Sequence, residues 1–358
     1  MSYGARIHAL SEKYWQFFAD DTPGQILAII CPYTFPMDYA AHGFADRGLD
    51  TWDFDREIKA YMEWCVGRHR AFMRHTKGLD NDYVPAMNVN LGYGVHSAYF
   101  TGANVRFGTE TSWTRPWLAD WSKLNDLKQD PDTLWFGRIL EAYDHLADLC
   151  DGDYALSAFA NAGPGDMANA IRGDDLFTDL YDHPDEVHAL MDKCADAFIW
   201  LEESIRARIG TVVSGEVTAN VWFPGRAPYL SEDFNDLISV EQYEAFGVVH
   251  TQRVLDHFGG AYIHHHAKGA HVHARIARLR HLTMLEQSLD PNCSPPIDRL
   301  ESLLDMHAGL PLMIRCHARD VYRRIEALKR GRVVIMLNVD SLDEGRDVMR
   351  FIRGHSVI

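Results

Sequence analysis

The chain has 358 residues, 47% of them hydrophobic and 24% charged, ordinary values for a folded protein that exclude disorder and low-complexity scaffolding. Its 35 basic and 51 acidic residues leave a net charge of -16, so no general attraction to nucleic acid or to an anionic membrane surface is expected. That length allows two domains or one large α/β barrel.

The N-terminal stretch MSYGARIHALSEKYWQFF is amphipathic and mixed in charge, without a basic head followed by an apolar run. No eighteen apolar residues run together; the run at 25–31 has only strand length. Six cysteines (Cys31, Cys65, Cys150, Cys194, Cys293, Cys316) are scattered without a CxxC, the usage of a reduced compartment. A soluble, cytoplasmic protein is the expectation.

The first 150 residues are rich in aromatic residues, glycine and proline, with irregular stretches such as 88–117, and the pattern predicts helices over 54–75 and 133–150. Beyond residue 150 short apolar runs at 154–159, 217–223, 261–266, 282–289, 310–316 and 332–339 alternate with helical patterns. Between Pro184 and Ile209 apolar residues recur at Val187, Leu190, Met191, Cys194, Phe198, Leu201 and Ile205, a 3.6-residue stripe closed by Gly210. Ser239 with Gln242 reads as a capping box. Further helices are predicted over 297–307, 319–330 and 342–353. Such alternation means a parallel sheet with right-handed crossovers. No GxGxxG follows a strand, which removes the main support for a dinucleotide-binding sheet. The expected fold class is α/β: a single (β/α)8 TIM barrel over 81–358, with residues 1–80 an irregular, partly helical N-terminal extension packed on it.

In a barrel, chemistry belongs at the strand C-termini. The strand at 261–266 ends His264-His265-His266; alternation puts His264 and His266 on one face and His265 on the other. Two neutral imidazoles on one face suit a divalent metal such as zinc, although they equally suit hydrogen bonds to a substrate. His271 and His273 are expected as exposed residues of the next helix. Asp290 closes the following strand, as a metal ligand, a proton carrier or a helix-initiating residue. Arg315 and Cys316 end the strand after it, the first suited to a carboxylate, the second to a thiolate role or to inert packing. Asn338 closes the last strand. Trp222 and Tyr229, in the aromatic stretch near 221–233, together with Asn90 and His96 in the glycine-rich stretch PAMNVNLGYGVH, are candidates for substrate-binding walls.

The segment AGPGDMANAIRG (162–173), followed by DLYDHPDEVH (179–188), resembles the uroporphyrinogen decarboxylase superfamily, with further matches at 82–94, 239–244, 264–266 and 289–290. The resemblance implies one (β/α)8 barrel with its site at the strand C-termini. It implies one of two activities. Decarboxylases of this superfamily carry an arginine-rich "RQAGRY"-like opening motif; here the early chain reads ICPYTFPMD (30–38). Corrinoid-linked methyltransferases hold zinc through His-x-Cys on one strand and a cysteine near the last. Here His264-His265-His266 puts histidine for that cysteine, Asn338 or Val339 stands at the second cysteine's place, and Cys316 lies one strand earlier.

The leading expectation is metal-dependent methyl transfer to or from a small thiol or oxygen substrate. The metal would be held by His264 and His266, with Asp290 or Cys316 completing the set, and a corrinoid or corrinoid protein would be the methyl partner. The alternatives are a metal-free decarboxylase, with Arg315 gripping the carboxylate, and a non-catalytic barrel that binds a corrinoid or a tetrapyrrole.

Overall fold

The computed structural model describes residues 3–307 and 309–358. Nine short strands surround one interior: β1 (Gln25–Ile29), β2 (Ala86–Met87), β3 (Ala155–Leu156), β4 (Asn161–Ala162), β5 (Tyr229–Ser231), β6 (Ala261–His265), β7 (Leu282–Gln287), β8 (Leu312–His317) and β9 (Arg332–Asn338). Seven form one sheet in the order β1-β9-β8-β7-β6-β5-β4, and β2 pairs separately with β3. All these pairs are parallel. β3 and β4 belong to one stave, broken near Asn161, whose φ is 66°. Eight staves therefore stand around the interior, as a (β/α)8 chain requires. Every residue of β1 is buried, since a parallel strand is covered by side chains within and helices without.

The hydrogen-bonded wall does not close between β1 and β2. Near its base one backbone bond crosses, from the Asp82 N–H to the Ala28 carbonyl at 3.0 Å, and side chains supply the rest. Asp82 Oδ2 accepts from the Ala28 N–H at 2.8 Å and Asn81 Oδ1 from Ile30 N–H at 3.0 Å. The Asn81 amide donates back to the Ile30 carbonyl at 2.6 Å. Above Ile30 no such bridge is formed among the described residues, and the seam stays open.

The outer layer comprises α1 (Tyr3–Ala19), α2 (Ile58–His75), α3 (Leu134–Leu149), α4 (Pro164–Arg172), α5 (Pro184–Ile209), α6 (Val248–Phe258), α7 (Leu300–His307), α8 (Ala318–Leu328) and α9 (Leu342–Arg353). The helices expected over 184–209 and 342–353 have those bounds, and Ser239 and Gln242 form the reciprocal cap. The family-like motif has a mechanical reading. Gly163 and Gly165 let α4 press on the β5 loop: a Cβ at Gly165 would meet the Phe234 ring at 2.1 Å. Arg172 then pairs with Asp179 at 2.6 Å and donates to the carbonyls of Leu118 and Ala119.

Two expectations are corrected. The run at 217–223 is not a barrel strand but an antiparallel hairpin, Glu216–Thr218 with Val221–Phe223, turned at Ala219 and Asn220, whose φ values of 49° and 60° are left-handed. Its aromatic residues pack on α1, Phe223 against Phe18 at 5.1 Å and Trp222 against Trp15 at 6.5 Å. The barrel strand is Tyr229–Ser231, a stretch read from sequence as loop. Residues 1–80, read as an extension, also supply β1, a paired strand of the main sheet. No described helix is long and apolar enough to cross a membrane.

Candidate functional site

A cavity of about 460 Å³ opens at the C-terminal ends of the strands, with Tyr33, Asn90, Tyr229, His264, Glu286 and Arg315 among its walls. A larger groove of about 780 Å³ lies away from these strand ends, between α1 and the end of α2. Of its cations, Lys13 is paired with Asp82 and Arg70 with Asp153. These are contacts of structural ion pairs, and barrel chemistry sits at the opposite face.

His264 occupies the wall of the cavity. Parallel register sets it opposite Glu286 on β7, and its Nδ1 lies 2.7 Å from the Glu286 carboxylate. Tyr229 stacks on the imidazole at 6.0 Å, and the Tyr262 hydroxyl donates to the same Glu286 oxygen. Burial opposes a charge on His264, but Glu286, backed by Asp233 and Asp290, outweighs it and raises the ring's pKa to about 9. Glu286 is pushed up by burial and down further by the His264 cation, so its carboxyl titrates below its ordinary value. The two form a buried ion pair.

With Nδ1 engaged by Glu286, His264 turns Nε2 toward Asp233 Oδ1, 3.9 Å away. His266 Nε2 reaches the same oxygen at 3.4 Å, and the two rings are 5.3 Å apart. One ligand atom from each of Asp233, His264 and His266 thus lies within 4.8 Å of the others. Asp233 Oδ1 is buried and accepts no hydrogen bond. Such an orphaned carboxylate oxygen between two imidazoles is what a cation site supplies.

Further carboxyls crowd behind it. Burial lifts Glu232 to about 8. Burial, then Asp233 and Glu232, hold Asp166 well above the usual carboxylate range. Asp166 Oδ1 accepts from the Phe234 N–H at 2.6 Å, fixing the loop that carries Asp233.

Asp290 is occupied otherwise than as a ligand completing the set. It accepts from the Ala267 N–H and from the Ser288 hydroxyl, both at 2.5 Å, and stands 3.5 Å from His266 Nδ1; it anchors the loop and orients that ring. Cys316 is 1% exposed, burial pushes its thiol up, and it is not in the group that converges on Asp233; on β8 it faces away from its neighbour Arg315. Arg315 does line the cavity, held by Asn338 Oδ1 at 3.1 Å and the Tyr33 carbonyl at 3.3 Å. Asn338 therefore acts on Arg315. Tyr229 and Asn90 are on the wall, whereas Trp222 is not: its indole donates to the Val212 carbonyl under the hairpin. His96 lies behind the wall, 5.8 Å from the Phe159 ring, lowered to about 4 by burial.

His265 faces outward into a chain of buried imidazoles. Its Nε2 is 2.6 Å from His273 Nδ1, and His273 Nε2 is 2.6 Å from His307 Nε2. His307 Nδ1 must donate to the Leu310 carbonyl at 3.3 Å. That fixes every tautomer in turn: His273 donates to His307, and His265 donates to His273. His273, expected at the surface, is fully buried, whereas His271 is exposed and meets the Ile238 carbonyl.

Sequence reasoning missed Glu286, Asp233 as a ligand, and Tyr262. The signal for Glu286 was present: a lone charge inside the apolar run TMLEQSL needs a buried partner.

Comparison with known proteins agrees with the barrel fold. The family model of uroporphyrinogen decarboxylase (URO-D) matches residues 97–303. None of the curated proteins matches the chain by sequence. Among solved structures, a methyltransferase from Methanosarcina mazei superposes with a TM-score of 0.67 at 10% identity, covering 96% of this chain and 98% of that one. At that identity the likeness is one of fold.

Proposed function

Because the chain belongs to the uroporphyrinogen decarboxylase family, we propose that it is a divergent enzyme of that family that transfers a methyl group to or from a small thiol or oxygen substrate at a divalent metal site. The observation that carries the metal is the convergence of Asp233, His264 and His266 beside the cavity, with the Asp233 oxygen unpartnered. Two nitrogens and one carboxylate oxygen fit a first-row divalent ion such as zinc and leave a position open for substrate. When bound, the ion supplies Lewis acidity that lowers the pKa of a thiol or hydroxyl.

The remaining residues hold and orient. Glu286 keeps the Nδ1 proton of His264 and so aims Nε2 at the site, the usual outer partner of a ligating histidine. Tyr262 keeps Glu286 in place. Arg315 presents its guanidinium to the cavity and suits an anionic substrate group. Support for methyl transfer comes from the fold shared with a methyltransferase; a corrinoid, free or on a partner protein, is the methyl carrier of this reading.

Arg315 and the His264–Glu286 pair favour a second reading, decarboxylation of a small carboxylate without metal. Arg315 would grip the carboxylate; as the C–C bond breaks its electrons stay on carbon, carbon dioxide leaves, and His264 Nε2–H returns a proton to that carbon.

Titration of the purified protein with zinc or cobalt near pH 8, read by calorimetry and by elemental analysis after gel filtration, tests the reading. One equivalent bound in the wild type and lost in His264→Ala, His266→Ala and Asp233→Asn is expected. Absence of binding in the wild type overturns the metal reading and leaves the decarboxylase.

A further inference from the structure

The open seam between β1 and β2 gives the reaction cavity a second chamber. Tyr33, Ala86, Asn88, Asn90 and Asn220 line the central cavity and also an annex of about 380 Å³ beyond the seam, against α2. A one-carbon or two-carbon substrate would leave most of both chambers empty, whereas well-formed ligand sites are largely filled by what they bind.

The annex has a definite chemistry. Its α2 wall presents Tyr61 and Trp64, stacked with centroids 6.1 Å apart, and Tyr61 is fixed by donating to the Asn90 carbonyl at 3.1 Å. Arg68 lies between rings, its guanidinium carbon 3.9 Å from the Tyr39 centroid and 4.4 Å from that of Trp64. In a chain with 51 acidic and 35 basic residues, a cation would readily find a carboxylate, yet Arg68 pairs with none among the described residues. Flat apolar walls beside a guanidinium without a carboxylate partner suit a planar anion on a flat ring.

We propose that the annex binds the far end of an elongated substrate, a flat one- or two-ring aromatic carboxylate held by Arg68, which sends its reacting end through the seam into the central cavity. This rests on the reading of the central cavity as the reaction chamber, and it narrows the substrate class from a small thiol or oxygen compound to an aryl carboxylate that carries such a group. The carboxylate is recognised at Arg68, and Arg315 serves the reacting end.

The test is calorimetric binding of 2-naphthoate and of its neutral methyl ester to the full-length protein. The acid should bind, and the ester should bind about tenfold or more weakly, the scale of a lost charge-assisted pair. Arg68→Gln should weaken the acid by a similar factor and erase the difference between acid and ester. Trp64→Leu, which removes a flat wall and keeps the cation, should weaken acid and ester alike, and so gives an answer independent of Arg68. Zinc titration of both variants should match the wild type. No binding of 2-naphthoate, equal binding of acid and ester, or an unchanged acid affinity in both variants overturns the annex. If zinc binds and naphthoate does not, only the annex falls; if naphthoate binds through Arg68 and zinc does not, only the metal reading falls.

Discussion

Nδ1 of His264 lies 2.7 Å from the Glu286 carboxylate, and the two residues are register partners on adjacent parallel strands. Each stabilises the other's charge within a wall that excludes water. This pair sets how the candidate site responds to pH.

A metal that takes His264 Nε2 must displace a proton held up to about 9. Metal affinity should therefore climb with pH through neutrality and level off near 9, well above the histidine reference of about 6.5. In Glu286→Gln the largest coulombic support is gone, burial is opposed only by Asp233 and Asp290, and the plateau should begin at lower pH. The plateau affinity should itself fall by about 10–100-fold, since the ring loses its orienting partner. Zinc titrations at half-unit pH steps, with NMR of the ring protons, check both changes.

The same pair governs stability of the metal-free protein, and the sign follows from the two shifts. His264 is raised, so its contribution is complete below about 6.5 and is lost as pH rises through about 9. Glu286 is lowered, so its contribution is present above the ordinary carboxylate range and is lost only in strong acid. Melting temperature should fall between pH 6.5 and 9.5 in the wild type, and this fall should be smaller in Glu286→Gln. A wild-type melting temperature flat across that range would contradict the pair.

Asp233→Asn should separate stability from function. The carboxylate stands beside buried Asp166 and Glu232 and raises the pKa of both, and it supports the charge on His264. Removing it should abolish zinc binding while costing the metal-free chain no more than about 1 kcal/mol near pH 7, where His264 loses one of its supporting charges. Denaturant melts with and without zinc read both effects.

His265→Ala should cost stability instead of metal. The substitution leaves the lone pair of His273 Nδ1 buried without its donor and opens a cavity at a residue with 0% exposure. A loss of about 2–4 kcal/mol is expected, with zinc stoichiometry kept by the folded fraction. Urea melts alongside zinc analysis of the folded protein provide the check.

Cys316 should stay unmodified by a thiol reagent until the protein unfolds, because burial holds the thiol protonated and inaccessible. Cys316→Ala should retain full zinc binding. Rapid labelling of Cys316 in the native protein, located by mass spectrometry, would return it to the site.

Local physics made much of this protein legible in one dimension. Alternation of strand and helix, the stripe from Val187 to Ile205, and the glycines around Pro164 depend on near neighbours in the chain, and they fix a parallel barrel whose strand ends carry the chemistry. Strand parity likewise puts His264 and His266 on one face with His265 turned away. What lies across the sheet could not be read that way. Register alone makes Glu286 the partner of His264, and only the α4–β5 packing swings Asp233 between the two imidazoles. The outward face of β6 could not be told from solvent, so His265 and His273 gave no sign of a buried chain. The run at 217–223 has a strand's composition, but it finds its apolar partner in α1 and becomes a hairpin outside the main sheet. The open seam between β1 and β2 is equally a tertiary fact: Asn81 and Asp82 satisfy the backbone at its base, which leaves the upper wall free to join two chambers.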